Sequence, residues 1–166
     1  MKYLDENNIK KIGINWAETI SVIEEAVKCL DKGDFVQPIK LYLRYGNQKN
    51  RIIAMPAFVG GKFNISGIKW IASFPNNIDR GINRAHSVVI LNNADTGEII
   101  SIINTALLSI IRTVSVSGLI MKYYDEARKL DKFNLGIIGW GLIGKYHFKL
   151  FTELYRDRIK KIFLYD

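Results

Sequence analysis

The order of elements in the last fifth of the chain can be read from one glycine-rich stretch, Gly139-Trp140-Gly141-Leu142-Ile143-Gly144. A short apolar run precedes it at Leu135–Ile138, and a helical pattern follows it over residues 142–155. A second apolar run, Ile162–Tyr165, comes after the helix. Strand, glycine turn, helix and strand in this order predict a βαβ unit. We therefore expect an α/β fold in which this unit belongs to a doubly wound sheet.

The spacing of the three glycines matches G-x-G-x-x-G, the motif that binds the pyrophosphate of a dinucleotide. The first glycine allows a tight turn, the second lets the backbone approach the phosphates, and the third lets the helix pack closely on the strand. The start of that helix offers free N–H groups and the positive end of its dipole. Asp166 ends the second strand about 20 residues further on, where an acidic side chain binds the ribose hydroxyls of NAD. The predicted cofactor is NAD, and the predicted cofactor-binding residues are Gly139, Gly141, Leu142, Ile143, Gly144 and Asp166.

Two alternatives stay open for this segment. Glycine-rich turns between a strand and a helix also occur where nothing binds. Trp140 fits either of two roles, since its ring can cover a cofactor or pack against the protein.

The composition indicates a globular protein. The chain has 166 residues, of which 48% are hydrophobic and 24% charged, enough for one domain or for one domain and part of another. Cys29 is the only cysteine, so no internal disulfide forms, and the first residues lack the pattern of a signal peptide. We therefore expect a cytoplasmic protein.

The formal net charge of +8 predicts an anionic partner. Basic residues are spread along the chain, with a modest cluster over 156–161, whereas proteins that bind nucleic acid concentrate them. Small anions therefore rank before nucleic acid. The two histidines, His86 and His147, and the single cysteine lack the spacing of metal ligands, so we expect no metal site.

Residues 99–121 contain a single charged residue, Arg112, which raises the question of a membrane span. Several serines and threonines dilute the apolar content, and an arginine near the centre of a span is costly, so we expect no membrane association. The apolar pattern over 105–124 instead predicts a helix enclosed by protein. The charged segment 125–132 is then the predicted linker between two domains.

Before this helix, the pattern predicts another helix and a series of strands. Asn15 is the predicted N-cap of a helix that ends at Gly33. The predicted buried face of this helix consists of Trp16, Ile20, Ile23, Val27 and Leu30. Three β-rich runs follow as a predicted meander, and two more as a predicted hairpin: Phe35–Tyr45, Arg51–Phe58 and Phe63–Phe74, then Ser87–Leu91 and Glu98–Ile103.

Three cations lie within these apolar elements. Lys69 belongs to a strand that is apolar on both faces, and Arg112 to the apolar helix, so each needs an anionic partner. A structural ion pair, or snorkelling of the charged group to the surface, would satisfy them as well as a ligand would. Arg44 points to the face opposite Leu41 and Leu43, where solvent is the alternative. Together the three cations suggest a site for an anionic substrate.

Seven motifs spread along the chain form a recognisable pattern: Phe35–Lys40, Tyr42–Arg44, Arg51–Pro56, Gly67–Ile71, Val89–Asn92, Arg112-Thr113 and Gly139–Gly144. With these motifs the chain resembles the ornithine cyclodeaminase/μ-crystallin family, and most closely its branch of 2,3-diaminopropionate biosynthesis dehydrogenases from siderophore and antibiotic pathways. The chain resembles the N-terminal half of a family member, which implies a truncated chain.

The resemblance implies two domains and a homodimer. Residues 1–130 would form an α+β substrate-binding and dimerisation domain with a mixed sheet, and residues 131–166 the start of an NAD-binding Rossmann domain. It also implies that Arg44, Lys69 and Arg112 bind the substrate, that Lys69 is catalytic, and that Arg112 and Thr113 contact the cofactor. His86 departs from the small residues that are usual at its position in the family, so details of the substrate pocket stay open.

The reaction that the resemblance implies is oxidation of N-(2-amino-2-carboxyethyl)-L-glutamate, a polycarboxylate derived from amino acids. Hydride passes to NAD, hydrolysis of the imine follows, and the products are 2,3-diaminopropionate, 2-oxoglutarate and NADH. Two alternatives remain within the family: an ornithine cyclodeaminase, and an inactive, truncated μ-crystallin-like protein that binds or dimerises.

Overall fold

The computed structural model describes residues 1–166. The strands are β1 (Lys2–Asp5), β2 (Phe35–Val36), β3 (Leu41–Leu43), β4 (Arg51–Val59), β5 (Ile65–Ser73), β6 (Ala85–Asn93), β7 (Ile99–Asn104), β8 (Phe133–Ile138) and β9 (Ile159–Tyr165). The α-helices are α1 (Glu6–Ile12), α2 (Trp16–Asp31), α3 (Leu107–Arg128) and α4 (Leu142–Leu154), and short 3₁₀ helices occupy Pro75–Arg80 and Arg156–Arg158.

The chain forms two compact units, and α2 contributes to both. The first unit contains Met1–Ile12 and Ala26–Leu107, and the second contains Gly13–Glu25 and Leu108–Asp166. The predicted assignment of a substrate-binding role to residues 1–130 and an NAD-binding role to residues 131–166 stays a prediction.

The first unit is a seven-stranded mixed sheet in the order β1-β7-β6-β5-β4-β2, with β3 pairing another part of β4. Strand β1 runs parallel to β7, and the other neighbours are antiparallel. The predicted mixed sheet, meander and hairpin are confirmed. The predicted single strand Phe35–Tyr45 is wrong, because residues 37–40 are irregular and separate β2 from β3. Pro38 lies in this break, and it has no N–H to donate to a neighbouring strand.

The register of the sheet defines two faces. One, the Lys69 face, carries Lys69 on β5 between Met55 on β4 and Val89 on β6. Four of its residues are among the most buried of this unit: Ile53, Ser87, Ser101 and Ile103. The other, the Trp70 face, carries Trp70 between Ala54 and Val88.

Close approach of two central strands requires a glycine at position 67. A Cβ built on Gly67 would lie 2.3 Å from the carbonyl oxygen of Ile90 on β6, much closer than real Cβ atoms come. Gly67 lies two residues before Lys69, on the same face of β5. Close packing of β5 against β6 therefore accounts for the glycine at position 67.

In the second unit, the first part of α2 packs with α3 and α4. A Cβ on Gly118 of α3 would lie 2.6 Å from Cδ1 of Ile20 and 3.0 Å from Cδ1 of Leu150, so the small residue permits close helix packing. Ser115 and Thr19 join the helices through a hydrogen bond of 2.8 Å between their hydroxyl oxygens. Strands β8 and β9 pair in parallel on either side of α4 in the chain, so the predicted βαβ unit is confirmed.

The predicted start of α2 is confirmed, but its predicted buried face is only partly right. Asn15 Oδ1 accepts a hydrogen bond from the Glu18 N–H at 3.1 Å, as expected for an N-cap. Trp16 and Ile20 are buried, whereas Val27 and Leu30 are 51% and 45% exposed. Cys29 is buried in their place, with Sγ 3.8 Å from the Gly60 carbonyl oxygen. The last turns of α2 therefore bury a different side from the first turns.

The predicted enclosure of α3 is wrong. Val114 and Ser115 are fully buried, but Ile120, Tyr123 and Tyr124 are about half exposed or more, and Arg112 is exposed. The neighbouring helices of the unit cover only one side of α3. No helix of the structure has the length and apolar character required to cross a membrane.

The predicted linker 125–132 is shorter in the structure, because α3 continues to Arg128. Arg158 holds the connection: its two terminal nitrogens each donate to the Asp125 carboxylate at 2.7 Å. Arg158 also donates to the carbonyl oxygens of Leu130 and Asp131. This bidentate pair ties the end of α3 to the start of β9.

Candidate active site

The glycine turn between β8 and α4 has the backbone geometry that its sequence predicts. Gly139 has a φ of +93°, a conformation that favours glycine, and its N–H donates to the Tyr165 carbonyl at 2.7 Å. A Cβ on Gly144 would lie 2.0 Å from the carbonyl oxygen of Gly139. The third glycine therefore allows α4 to approach the turn, as the motif requires.

The start of α4 is open to a ligand. Gly141 is its N-cap, and no side chain accepts a hydrogen bond from the N–H groups of the first turn. A Cβ on Gly141 would meet no atom within 4 Å, and Leu142 and Ile143 are 59% and 48% exposed. Free backbone donors, the positive end of the helix dipole and open space together fit a pyrophosphate group.

Asp166 lies beside this turn. Its Oδ1 accepts a hydrogen bond from the Trp140 N–H at 2.8 Å, so the acidic side chain at the end of β9 and the glycine turn are held together. The Trp140 ring packs edge-on against Phe148 of α4, with ring centroids 5.5 Å apart. The Trp140 ring therefore has a packing partner within its own unit.

His147 links α4 to α3. Its Nδ1 is 2.9 Å from the Ile143 carbonyl oxygen, and its Nε2 is 2.9 Å from the Ser117 hydroxyl oxygen. Because a carbonyl only accepts, Nδ1 carries the proton in the neutral ring and Nε2 accepts from Ser117. Ile143 belongs to α4 and Ser117 to α3, so His147 is a packing residue between two helices of this unit.

Lys69 lies in the middle of the sheet of the first unit. It is half-buried on β5, and its direct cross-strand partners, Met55 and Val89, are apolar. Along β5, Ile71 lies two residues further on the same face. The strand neighbours of Lys69 on this face are therefore apolar, and its role at a site stays a prediction.

Arg44 follows β3 directly and is exposed. Its terminal nitrogen donates to the Gln48 carbonyl at 2.8 Å, and its guanidinium lies over the Tyr42 ring, 5.5 Å from the centroid. Strand β4 separates β3 from β5, which carries Lys69. In this structure Arg44 thus stabilises the turn after β3.

Arg112 and Thr113 lie on α3, in the unit that also contains the glycine turn. Arg112 is exposed, which agrees with the alternative that its charged group reaches the surface and not with burial. Thr113 donates from Oγ1 to the Ser109 carbonyl at 2.7 Å, a bond within the helix. The structure therefore brings together the glycine turn and Asp166, and it places Arg44 and Lys69 in the other unit.

His86, the departure from the family pattern, does not share a face with Lys69. It is exposed on the Trp70 face of β6, opposite Ala72. The next residue, Ser87, lies on the Lys69 face and is 4% exposed. Sequence reasoning missed Ser87, because only the pairing register shows which residue of β6 adjoins Lys69.

Comparison with known proteins gives consistent matches. The Ornithine cyclodeaminase/mu-crystallin family model matches residues 6–166. An N-((2S)-2-amino-2-carboxyethyl)-L-glutamate dehydrogenase from Staphylococcus aureus is 40% identical over 100% of this chain and 50% of its own length. The chain spans about half the length of the curated relatives it matches.

Two solved structures share the fold. A Delta(1)-pyrroline-2-carboxylate reductase from Thermococcus litoralis, in complex with NADH and L-proline, matches with a TM-score of 0.87 and 23% identity over 100% of this chain and 49% of that chain. An archaeal alanine dehydrogenase dimer with bound NAD matches with a TM-score of 0.80 and 24% identity over 100% and 48%. Both similarities support the α/β fold with its mixed sheet.

Proposed function

Because the chain belongs to the ornithine cyclodeaminase/mu-crystallin family, we propose that the protein is an NAD-dependent dehydrogenase of N-(2-amino-2-carboxyethyl)-L-glutamate. The products would be 2,3-diaminopropionate, 2-oxoglutarate and NADH. The observation that carries this proposal is the 40% identity, over the whole chain, to a relative that bears this activity in its name. A role in supplying a siderophore or antibiotic precursor is part of the same proposal.

The residues of the second unit fit the cofactor. The N–H groups around Gly141 would bind the pyrophosphate, and the Asp166 carboxylate would bind the ribose hydroxyls. A carboxylate at this position favours NAD over NADP, whose 2′-phosphate it would repel. NAD, when bound, supplies the acceptor for the hydride that leaves the substrate. We also assign Arg112 and Thr113 to contacts with the cofactor, as in the family.

The substrate carries three carboxylates, and the proposal assigns Arg44, Lys69 and Arg112 to bind them. The exposed guanidinium of Arg112 is available for a bidentate contact with a carboxylate. Lys69 is also assigned the proton transfer at the substrate amine, because an arginine stays protonated whereas a lysine can release its proton. Its direct cross-strand neighbours on this face, Met55 and Val89, are apolar.

A homodimer formed through the Trp70 face belongs to this proposal. Trp70 is 46% exposed, and Leu41 and Leu43 on the same face are 71% and 49% exposed. A groove of about 350 Å³ on this face is lined by apolar side chains such as Val36, Pro56, Phe58 and Ile68. A second copy of the chain would cover this apolar surface by a self-complementary contact. A cytoplasmic location fits Cys29, a free thiol.

The test of the proposed function is NADH formation, followed by absorbance, with the protein and either N-(2-amino-2-carboxyethyl)-L-glutamate or ornithine. We expect NADH only with the first substrate. In Lys69→Met, NADH formation should be lost, whereas Lys62→Met, which changes an exposed lysine in the turn before β5, should leave the rate unchanged.

Other results would replace this function with an alternative. Conversion of ornithine to proline without net NADH would identify a cyclodeaminase. Binding of NADH without any turnover would indicate a μ-crystallin-like binding protein. Near-normal turnover by Lys69→Met would remove Lys69 from the mechanism.

A further inference from the structure

The Ser87 hydroxyl of β6 is buried and has no hydrogen-bond partner in the structure. The residue is only 4% exposed, and among the buried side-chain oxygens and nitrogens it is the one without a partner. A buried hydroxyl without a partner destabilises the protein, because it loses its hydrogen bonds to water without replacement. An alanine, almost the same size, would avoid this cost.

Ser87 lies next to Lys69. Ser87 is paired with Ile71 on β5, and Lys69, two residues before Ile71, is paired with Val89 on β6. Ser87 and Lys69 are therefore diagonal neighbours on the Lys69 face, an arrangement that places Cβ atoms within about 8 Å. The side chains that directly oppose these two residues across β5 and β6 are apolar, so no protein group there offers Ser87 a partner.

Ser87 and Lys69, as diagonal neighbours on one face of the sheet, bring a hydroxyl and an ammonium group that suit one kind of ligand. Both groups donate hydrogen bonds, and a carboxylate has two oxygens that accept them. Such bonds are stronger in a buried setting such as that of Ser87 than in water.

We propose that Ser87 is a substrate-binding residue that donates a hydrogen bond from Oγ to a substrate carboxylate held by Lys69. This inference rests on the proposed function and deepens it, since it adds a neutral donor to the three cations. The carboxylate then supplies the acceptor that Ser87 lacks in the free protein.

The experiment compares Ser87→Ala, Ser87→Thr and Ser101→Ala in the protein that carries this chain, using N-(2-amino-2-carboxyethyl)-L-glutamate as the ligand. Ser101 is the matched control: it is 7% exposed and on the same face, but it is paired with Leu91 and lies on β7, with β6 between it and β5. KM and kcat come from NADH absorbance, Kd from calorimetry, and the unfolding midpoint from a thermal scan.

We expect KM and Kd to rise roughly tenfold or more in Ser87→Ala with little change in kcat, because a hydrogen bond to a charged group is lost. Ser87→Thr, which keeps the hydroxyl on a β-branched side chain suited to a strand, should restore most of the affinity. Ser101→Ala should match the wild type. The unfolding midpoint of Ser87→Ala should be unchanged or raised, since an unsatisfied hydroxyl is removed.

The results separate this inference from the proposed function. A wild type that turns over its substrate, with unchanged KM and Kd in Ser87→Ala, overturns the role of Ser87 and leaves the proposed function standing. A wild type that neither binds nor oxidises the substrate overturns both. If Ser87→Ala does not fold, Ser87→Cys, of similar size with only a weak donor, replaces it, and an unchanged KM in that variant contradicts the inference.

Discussion

The Asp166 carboxylate accepts a hydrogen bond from the Trp140 backbone N–H, with 2.8 Å between Oδ1 and the nitrogen. This bond joins the end of β9 to the glycine turn after β8. The acidic residue and the turn are therefore positioned by each other as well as by the pairing of the two strands. The proposed function assigns the second carboxylate oxygen to the ribose hydroxyls of the cofactor.

Replacement of Asp166 should weaken NADH binding and reduce the preference for NAD over NADP. In Asp166→Ala we expect the Kd for NADH to rise roughly tenfold or more, because a charge-assisted hydrogen bond is lost. The Kd for NADH is measured by titration of NADH fluorescence. Asp157→Ala, which changes an exposed residue before β9, is the control and should bind NADH normally. An unchanged NADH affinity in Asp166→Ala would remove Asp166 from the cofactor site.

Replacement of Gly144 should disrupt the turn. A methyl group there would lie 2.0 Å from the Gly139 carbonyl oxygen, so α4 must shift away from the turn. We expect Gly144→Ala to lower the unfolding midpoint and to abolish measurable NADH binding. Gly136→Ala is the matched control, because its Cβ would meet no atom within 4 Å. Normal NADH binding by Gly144→Ala would show that the turn does not bind the pyrophosphate.

Introduction of a charge on the Trp70 face should prevent dimerisation. Trp70 is exposed in the single chain, and a carboxylate in its place would lose water without gaining a partner when a second copy binds. We expect a dimer for the wild type and a monomer for Trp70→Glu by light scattering coupled to gel filtration. Ile78→Glu, at a 65% exposed position outside the sheet, should remain dimeric. A dimeric Trp70→Glu would place the interface elsewhere.

The Asp125–Arg158 pair should make stability depend on acidity. The hydrogen bond from Arg158, together with its charge, lowers the pKa of the Asp125 carboxyl below its ordinary value of 3.8, against the opposing effect of burial. A carboxyl whose pKa is lowered on folding stabilises the protein above the ordinary pKa, and this contribution disappears as the pH falls through the folded value.

We therefore expect the thermal unfolding midpoint of Asp125→Asn to be a few degrees below that of the wild type at pH 7, with the difference narrowing below about pH 4. Thermal scans of both proteins between about pH 7 and pH 3 measure the difference in unfolding midpoint. Asp157→Asn, which changes an exposed carboxylate, should follow the wild type at every pH. A difference that does not change with pH would mean that the charge of Asp125 is not what stabilises the pair.

Several elements could be predicted because their signals are local. The N-cap at Asn15 depends on a side chain and an amide three residues apart, and the glycine turn depends on φ and on space within six residues. The βαβ unit follows from the change of hydrophobic period along one segment. These parts of the fold are confirmed.

Exposure of the helices could not be predicted in the same way. The pattern of α2 shows one apolar face and the pattern of α3 shows a largely apolar helix, but neither pattern shows which neighbours cover the apolar residues. Val27 and Leu30 are exposed while Cys29 is buried, and Arg112 is exposed although its helix is apolar on most sides. Burial is a property of the packed neighbours, which come from other segments of the chain.

The sequence by itself determined three local features: a glycine turn between a strand and a helix, an acidic residue after the next strand, and a lysine within an apolar strand. The tertiary structure alone decided which residues share a surface. Ser87 rather than His86 adjoins Lys69, and this depends on the register between β5 and β6. A shift of one residue in that register would exchange the two side chains between faces, and the alternation of side chains along a single strand does not specify its partner.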